Sequence, residues 1–339
     1  MPPTAKMVQA WWLPWLYLHF KLNPIKVRQL STDNLLMITQ ALKSVDAWVE
    51  YFDHADIPVL TRTGQELVRF KQNEDNLNGR EISDAILHDP LMTLKVLRYL
   101  NDHHSKRQSM EITTMARALM MLGTTPFFRH FARLPTVETT LRAHPEPLAR
   151  VMHNMSLARH TALYAQDWAL ARNDIEADEV MLAALLRNLA DILLCCFAPQ
   201  LMLEIRAAMR ADRDLRSVEA QKRVLGFPGQ DLQMALAEHW HLPKLLQLLM
   251  DESQAQNPRT KNVALASRLA RHSANGWFDA GLPDDYRDIA QLIKLSEEET
   301  WQRIQRITLQ AAKSWTWYGV APTTGLIAAI ADAALSAGK

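Results

Sequence analysis

The chain has 339 residues, of which 48% are hydrophobic and 22% charged, and that composition excludes a disordered or fibrous protein. The length suits about two domains or one large one. Lys and Arg number 38 against 37 Asp and Glu, so the net charge of +1 supplies no overall field for nucleic acid or an anionic membrane.

The N-terminal region carries an aromatic block from Trp11 to Phe20, including Trp12, Trp15 and Tyr17. Pro14 interrupts it, and it is shorter than the roughly 20 apolar residues a membrane span needs. It lacks a small-residue cleavage site, so it does not read as a secretory signal. With a helix starting at Pro14, Trp15, Leu18 and Leu22 share one face. Three roles stay open for Trp11, Trp12, Trp15, Tyr17 and Phe20: covering the chain's own apolar groove, self-association, or lying on a membrane surface. Composition shifts near Phe52, which predicts an N-terminal extension over 1–51.

Helical punctuation then recurs, while period-2 alternation is absent and glycine is rare, at ten residues. Asp89-Pro90 reads as an N-cap and first helical position, followed by the apolar series Leu91, Leu94, Val96, Leu97 and Leu100. Met115 to Leu122 runs up to Gly123, a C-terminal cap. A long helix is predicted from about Pro147 to Arg172, broken at Asn173-Asp174. Glu179 to Phe197 is apolar on nearly every side, the pattern of a helix buried at the centre of a bundle. Pro199, Pro243 and Pro258 open further helices, and Gly226 closes one. The polar run 251–257 reads as a link to a C-terminal helical region over 256–339. Ser296 and Glu299 form a capping box for a helix reaching about Trp315, and Val320 to Ala337 reads as a soluble helix end. The fold class expected is all-α.

Cys195 and Cys196 are the only cysteines. Adjacent cysteines rarely meet disulfide geometry, which excludes a disulfide framework and a cysteine zinc site and fits a reducing cytoplasm.

Six short motifs occur in a particular order: Ile57-Pro58-Val59-Leu60 leading into Ile82 to Leu91, Lys95 to Asn101, Ala116 to Gly123, Ala184 to Leu193, Leu225-Gly226-Phe227, and His239-Trp240-His241-Leu242-Pro243. This order resembles the HDOD family, the HD-related output domain of bacterial signalling proteins, over roughly Phe52 to Asp251. The resemblance implies an HD-like helical bundle over 52–255. It also implies kinship with HD phosphohydrolases, which hold a divalent metal through a His on one helix, a His-Asp dyad on a later one and a further Asp, and use it to generate a nucleophilic water.

In this chain the dyad position is Arg187-Asn188, and an arginine stays protonated and cannot ligate a cation. The earlier ligand position is Met155. The histidine that often follows the Gly-Phe element is Gly229, and the frequent His pair falls near Met250-Asp251-Glu252. The resemblance therefore implies a degenerate pocket around Arg187, Asn188, Asp191, His153 and Met155, with no catalytic residue, no metal ligand and no cofactor. Asp191, four residues after Arg187, is expected to neutralise it; a phosphate group is the alternative partner.

Other features have plainer readings. His88-Asp89 is a literal His-Asp pair, but Asp89 is better placed as a cap. His153, His160 and Asp167 recur every seven residues, about 10 Å apart along a helix, which is too far to share one metal. They read as a solvated or interface face. Asp102 to Ser105 reads as a loop and His239-Trp240-His241 as a helix terminus. Met115, Met120, Met121, Met152 and Met155 read as core filling, with an adaptable binding surface as the alternative. Leu201 to Val224 reads as an arginine-bearing helix with a salt-bridged solvent face.

The functional expectation is a cytoplasmic, non-catalytic scaffold or output module that binds partner proteins, a homodimer among the arrangements, or a small ligand through the degenerate pocket. A phosphohydrolase with relocated ligands and a nucleotide- or RNA-binding regulator are the alternatives.

Overall fold

A computed structural model describes residues 37–73, 78–103, 111–212, 214–274, 276–277 and 279–320. Asp102 and His103, read as a loop, form the last turn of a helix instead; the aromatic block (Trp11, Trp12, Trp15, Tyr17, Phe20), His104, Ser105 and most of the Val320–Ala337 stretch lie outside the described residues.

The described residues are helical, with no strand among them, as the spacing of caps and apolar residues predicts. The first six helices are α1 (Val45–His54), α2 (Thr61–Gln72), α3 (Gly79–Ile86), α4 (Pro90–His103), α5 (Met115–Leu122) and α6 (Thr124–His130). The next six are α7 (Val137–Thr140), α8 (Pro145–Ala171), α9 (Ala177–Leu186), α10 (Leu189–Phe197), α11 (Pro199–Ala211) and α12 (Ser217–Leu225). The last six are α13 (Gly229–His239), α14 (Lys244–Met250), α15 (Pro258–Ser273), α16 (Leu282–Ile293), α17 (Glu297–Ala312) and α18 (Trp315–Tyr318).

Local chemistry sets many of the boundaries. Gly123 adopts φ +76°, ending α5 and starting α6. Gly226 closes α12 at φ +90°, a left-handed conformation that a side chain would strain. Asn173 turns the chain after α8 with φ +57°. The Ser296–Glu299 capping box forms in full at the start of α17.

The 27-residue α8 is the axis of the bundle. It packs against α9, α10, α15 and α17, so its buried residues, among them Val151, Met155, Ala162, Tyr164 and Trp168, lie on almost every side. The C-terminal helices share this core through Leu265, Leu269, Ile304 and Ile307. At the other end Trp48, Phe52 and Phe197 cluster as close ring pairs.

Two stretches read as single helices are each divided. Glu179–Phe197 breaks at Arg187-Asn188, giving α9 and α10. Leu201–Val224 breaks after Ala211 and resumes at Ser217, and the Asp212 carboxylate accepts the Asp214 N–H at 3.1 Å. Apolarity and charge spacing register a helical face but not a turn within it. The run Ala177–Phe197 is long and apolar enough to cross a membrane, and most of it is buried among the other helices.

Asp89 ties the first part of the chain to the bundle. Its side chain is fully buried. One oxygen accepts the N–H groups of Leu91 and Met92, each at 3.0 Å, and caps α4 as the sequence predicts. The other accepts the Leu60 N–H at 2.7 Å and the Thr63 hydroxyl at 2.9 Å, fixing the start of α2. Val59 beside it makes an isolated parallel bridge with Thr136.

An asparagine at 89 has one acceptor oxygen and so satisfies only one of the two donor pairs. Asp89→Asn and Asp89→Ala should therefore both cost about 3 kcal/mol of stability. Urea unfolding should show a lower midpoint at unchanged slope. An Asp89→Asn protein as stable as the parent would show that the paired donors do not need the carboxylate.

Candidate functional site

Arg187 sits where α9 ends and α10 begins. An arginine in the middle of the chain's most apolar run must find acceptors as it is buried. Its side chain is 6% exposed. One guanidinium nitrogen donates to the Met250 carbonyl at 3.1 Å, and another pairs with the Glu252 carboxylate. Burial and the charge of Arg271 work against the guanidinium charge, while Glu252 favours it.

The partner predicted for Arg187 was Asp191, and the structure corrects this. The helix break removes the continuous turn that an i,i+4 pair requires, and Glu252 takes the guanidinium instead. Asp191 lies in the first turn of α10 with no hydrogen-bond partner among the described residues, and burial pushes its carboxyl up to about 6.

Gln233, which the sequence reading did not single out, holds the break. Its amide oxygen accepts the Ala190 N–H at 2.9 Å, and its nitrogen donates to the Leu186 carbonyl at 3.1 Å. These are backbone groups that the interrupted helix leaves without partners. A buried glutamine within the apolar stretch Leu232–Leu236 was the available signal. Gln230 supports the same seat, donating to the Met250 carbonyl at 3.1 Å.

The site residues are therefore only partly assembled. The α9–α10 junction and the 250–252 segment meet through Arg187. Asn188 precedes α10 without a side-chain capping bond. Met155 is fully buried core. His153 is half-buried on α8, and burial together with Arg150 lowers it to about 4.

The donor set does not fit the divalent metal that HD enzymes hold. A guanidinium, a thioether and the bare Gly229 stand at positions where the resemblance expects imidazole or carboxylate.

Several plainer readings are settled. His160 and Asp167 do not face solvent but the C-terminal helix α17. His160 is 1% exposed and hydrogen-bonded to the Ala311 backbone. Asp167 pairs with Arg303 and Arg306. Between them the Tyr164 hydroxyl lies 2.6 Å from Thr308. His239 and Trp240 close α13 against Asp53, with Trp240 donating at 3.0 Å and His239 at 3.3 Å. His88 stacks on Trp317. Met115, Met152 and Met155 are core, but Met120 is 81% exposed and Met121 is also exposed, so core filling is wrong for these two.

These features define an all-helical, HD-like bundle with Arg187 clamped between α9 and α10. The HDOD domain family matches residues 57–256, and the chain belongs to that family. Two solved structures share the fold. One is the MmoQ response regulator of Methylococcus capsulatus str. Bath, at 17% identity and TM-score 0.56, covering 74% of this chain and 98% of that one. The other is a virulence factor of Campylobacter jejuni subsp. jejuni, at 16% identity and TM-score 0.57, covering 79% and 100%. No curated protein matches by sequence.

The clamp predicts an asymmetry. Glu252→Ala leaves a buried guanidinium without its counter-charge and should cost about 2 kcal/mol, discounted because Glu252 is 65% exposed. Arg187→Met removes that charge and should cost less. Chemical denaturation of both variants checks the order, and a costlier Arg187→Met would reverse it.

Burial lowers His160 to about 4. An unfolded histidine titrates near 6.5, so between these values the unfolded state binds the extra proton. Its stabilising contribution is present above about pH 6.5 and is lost as pH falls towards 4, by up to about 3 kcal/mol. Unfolding free energy measured against pH should be flatter over this range in His160→Gln than in the parent. Identical slopes would mean that His160 titrates normally.

Proposed function

We propose that this chain is a cytoplasmic, non-catalytic signalling module that works by binding partner proteins, a second copy of itself among them. The observation that carries this reading is the Arg187 clamp. A permanent positive charge is held there by Glu252 and the Met250 carbonyl, at the position where the resemblance to HD hydrolases would put a metal-binding dyad.

Membership of the HDOD family supports a signalling role, and one protein of similar fold is described as a response regulator. The exposed methionines 120 and 121 on α5 support a contact surface, since flexible thioethers adapt to varied partners. A ligand entering the degenerate pocket would have to displace Glu252 from Arg187.

Metal analysis of the purified full chain, with a Mn²⁺ thermal-shift titration and an assay of a generic phosphodiester, tests the reading. The expected result is sub-stoichiometric metal, no shift in melting temperature and no turnover above a metal-only control. Stoichiometric metal with turnover would overturn it in favour of a hydrolase with relocated ligands. Salt-sensitive RNA or nucleotide binding that is lost in Arg187→Ala would overturn it in favour of a nucleic-acid or nucleotide regulator.

A further inference from the structure

A cleft of about 190 Å³ opens between the N-terminal half of α8 and the beginning of α11, away from the Arg187 clamp. Pro147, Pro199, Met202 and Leu203 give it apolar walls, and Asn154 and Cys195 also line it. The Asn154 amide is directed to the Cys195 sulfur at 3.4 Å. Burial pushes that thiol up to about 12, so it adds no negative charge at neutral pH.

Two arginines line the same cleft, Arg150 from α8 and Arg206 from α11. Arg210 stands one turn beyond Arg206, and its charge acts unfavourably on Arg150. None of the three makes a hydrogen bond or ion pair with a described residue. The acid whose charge acts favourably on Arg150 is Glu146, one turn before it on α8. Elsewhere in the bundle, several half-buried or buried arginines are ion-paired: Arg98 with Asp53, Arg187 with Glu252, Arg259 with Asp174 and Glu179, Arg268 with Asp285, and Arg303 with Asp167, whereas Arg159 and Arg172 reach backbone carbonyls. Here Arg150 and Arg206 line an apolar recess, with Arg210 one turn beyond, and none of the three is hydrogen-bonded or ion-paired to a carboxylate among the described residues.

The size of the recess limits what can enter. An apolar cavity of about 150 Å³ accommodates one benzene ring. Arginine forks from two different helices suit an oxyanion at the mouth, where charge-assisted bonds form without further burial of charge.

We propose that this cleft binds a small organic anion, a single ring or a short acyl chain bearing a phosphate or carboxylate. The apolar body enters between Pro147, Pro199, Met202 and Leu203, and the oxyanion meets Arg150 and Arg206, with Arg210 adding to the attraction. The site shares no residue with the Arg187 clamp and does not depend on the non-catalytic reading.

The test is a titration of the full chain, labelled at its methionine methyl carbons, with phenyl phosphate and in parallel with benzoate. The Met202 signal is assigned by its loss in Met202→Leu. Saturable movement of the Met202 signal by either anion, with the buried Met92 signal unmoved, is the expected result. Inorganic phosphate and benzyl alcohol, each carrying half of the required chemistry, should bind at least about tenfold more weakly. Arg150→Gln and Arg206→Gln should each weaken phenyl phosphate about tenfold. The stronger of the two anions identifies the headgroup. An unmoved Met202 signal with both anions, equal binding of benzyl alcohol, or unchanged affinity in both arginine variants would each overturn the proposal.

Discussion

One charge determines how the second half of this bundle is arranged. Arg187 stands at the junction of α9 and α10 in the chain's most apolar run, and a guanidinium inside a helical core costs several kcal/mol unless it is paired. The backbone turns at that point. Gln233 takes up the released peptide groups, and the 250–252 segment is drawn in to supply a carbonyl and a carboxylate. Because that segment joins α14 to α15, the pairing also fixes where the C-terminal helices begin.

The interactions that hold the early part of the chain follow a similar logic at lower charge density. Asp89 is buried whole and matched by four donors, two from its own helix and two from the start of α2. Asp53 collects Arg98, Trp240 and His239 from two further helices. Each carboxylate is a point where separate helices are held in register by polar groups that converge on it.

Much of this was legible in the sequence. Asp89-Pro90, Gly123, Gly226, Pro258 and the Ser296–Glu299 box act through neighbours a few residues away, and local spacing reveals such effects. That Arg187-Asn188 stand where the resemblance puts a dyad is a reading of the sequence alone, since it depends only on which side chain stands at one position. Tertiary facts were not. The choice of Glu252 over Asp191 follows from a turn that apolar periodicity does not encode. The burial of His160 and Asp167 follows from α17 returning across α8 some 140 residues later. The exposure of Met120 and Met121 depends on where neighbouring helices stop, and the arginines of the α8–α11 cleft come together only in three dimensions.

The seat of α17 on α8 has a consequence for how the molecule can be divided. The family match ends at 256, yet Tyr164 and Asp167 lie within it and find their partners Thr308, Arg303 and Arg306 beyond it. A fragment cut at that boundary would place a buried histidine, a tyrosine hydroxyl and a stripe of aliphatic side chains in water. The family match is thus shorter than the packed core, and any transplant of this domain into another protein needs to carry the chain through about residue 320 to keep its central helix enclosed.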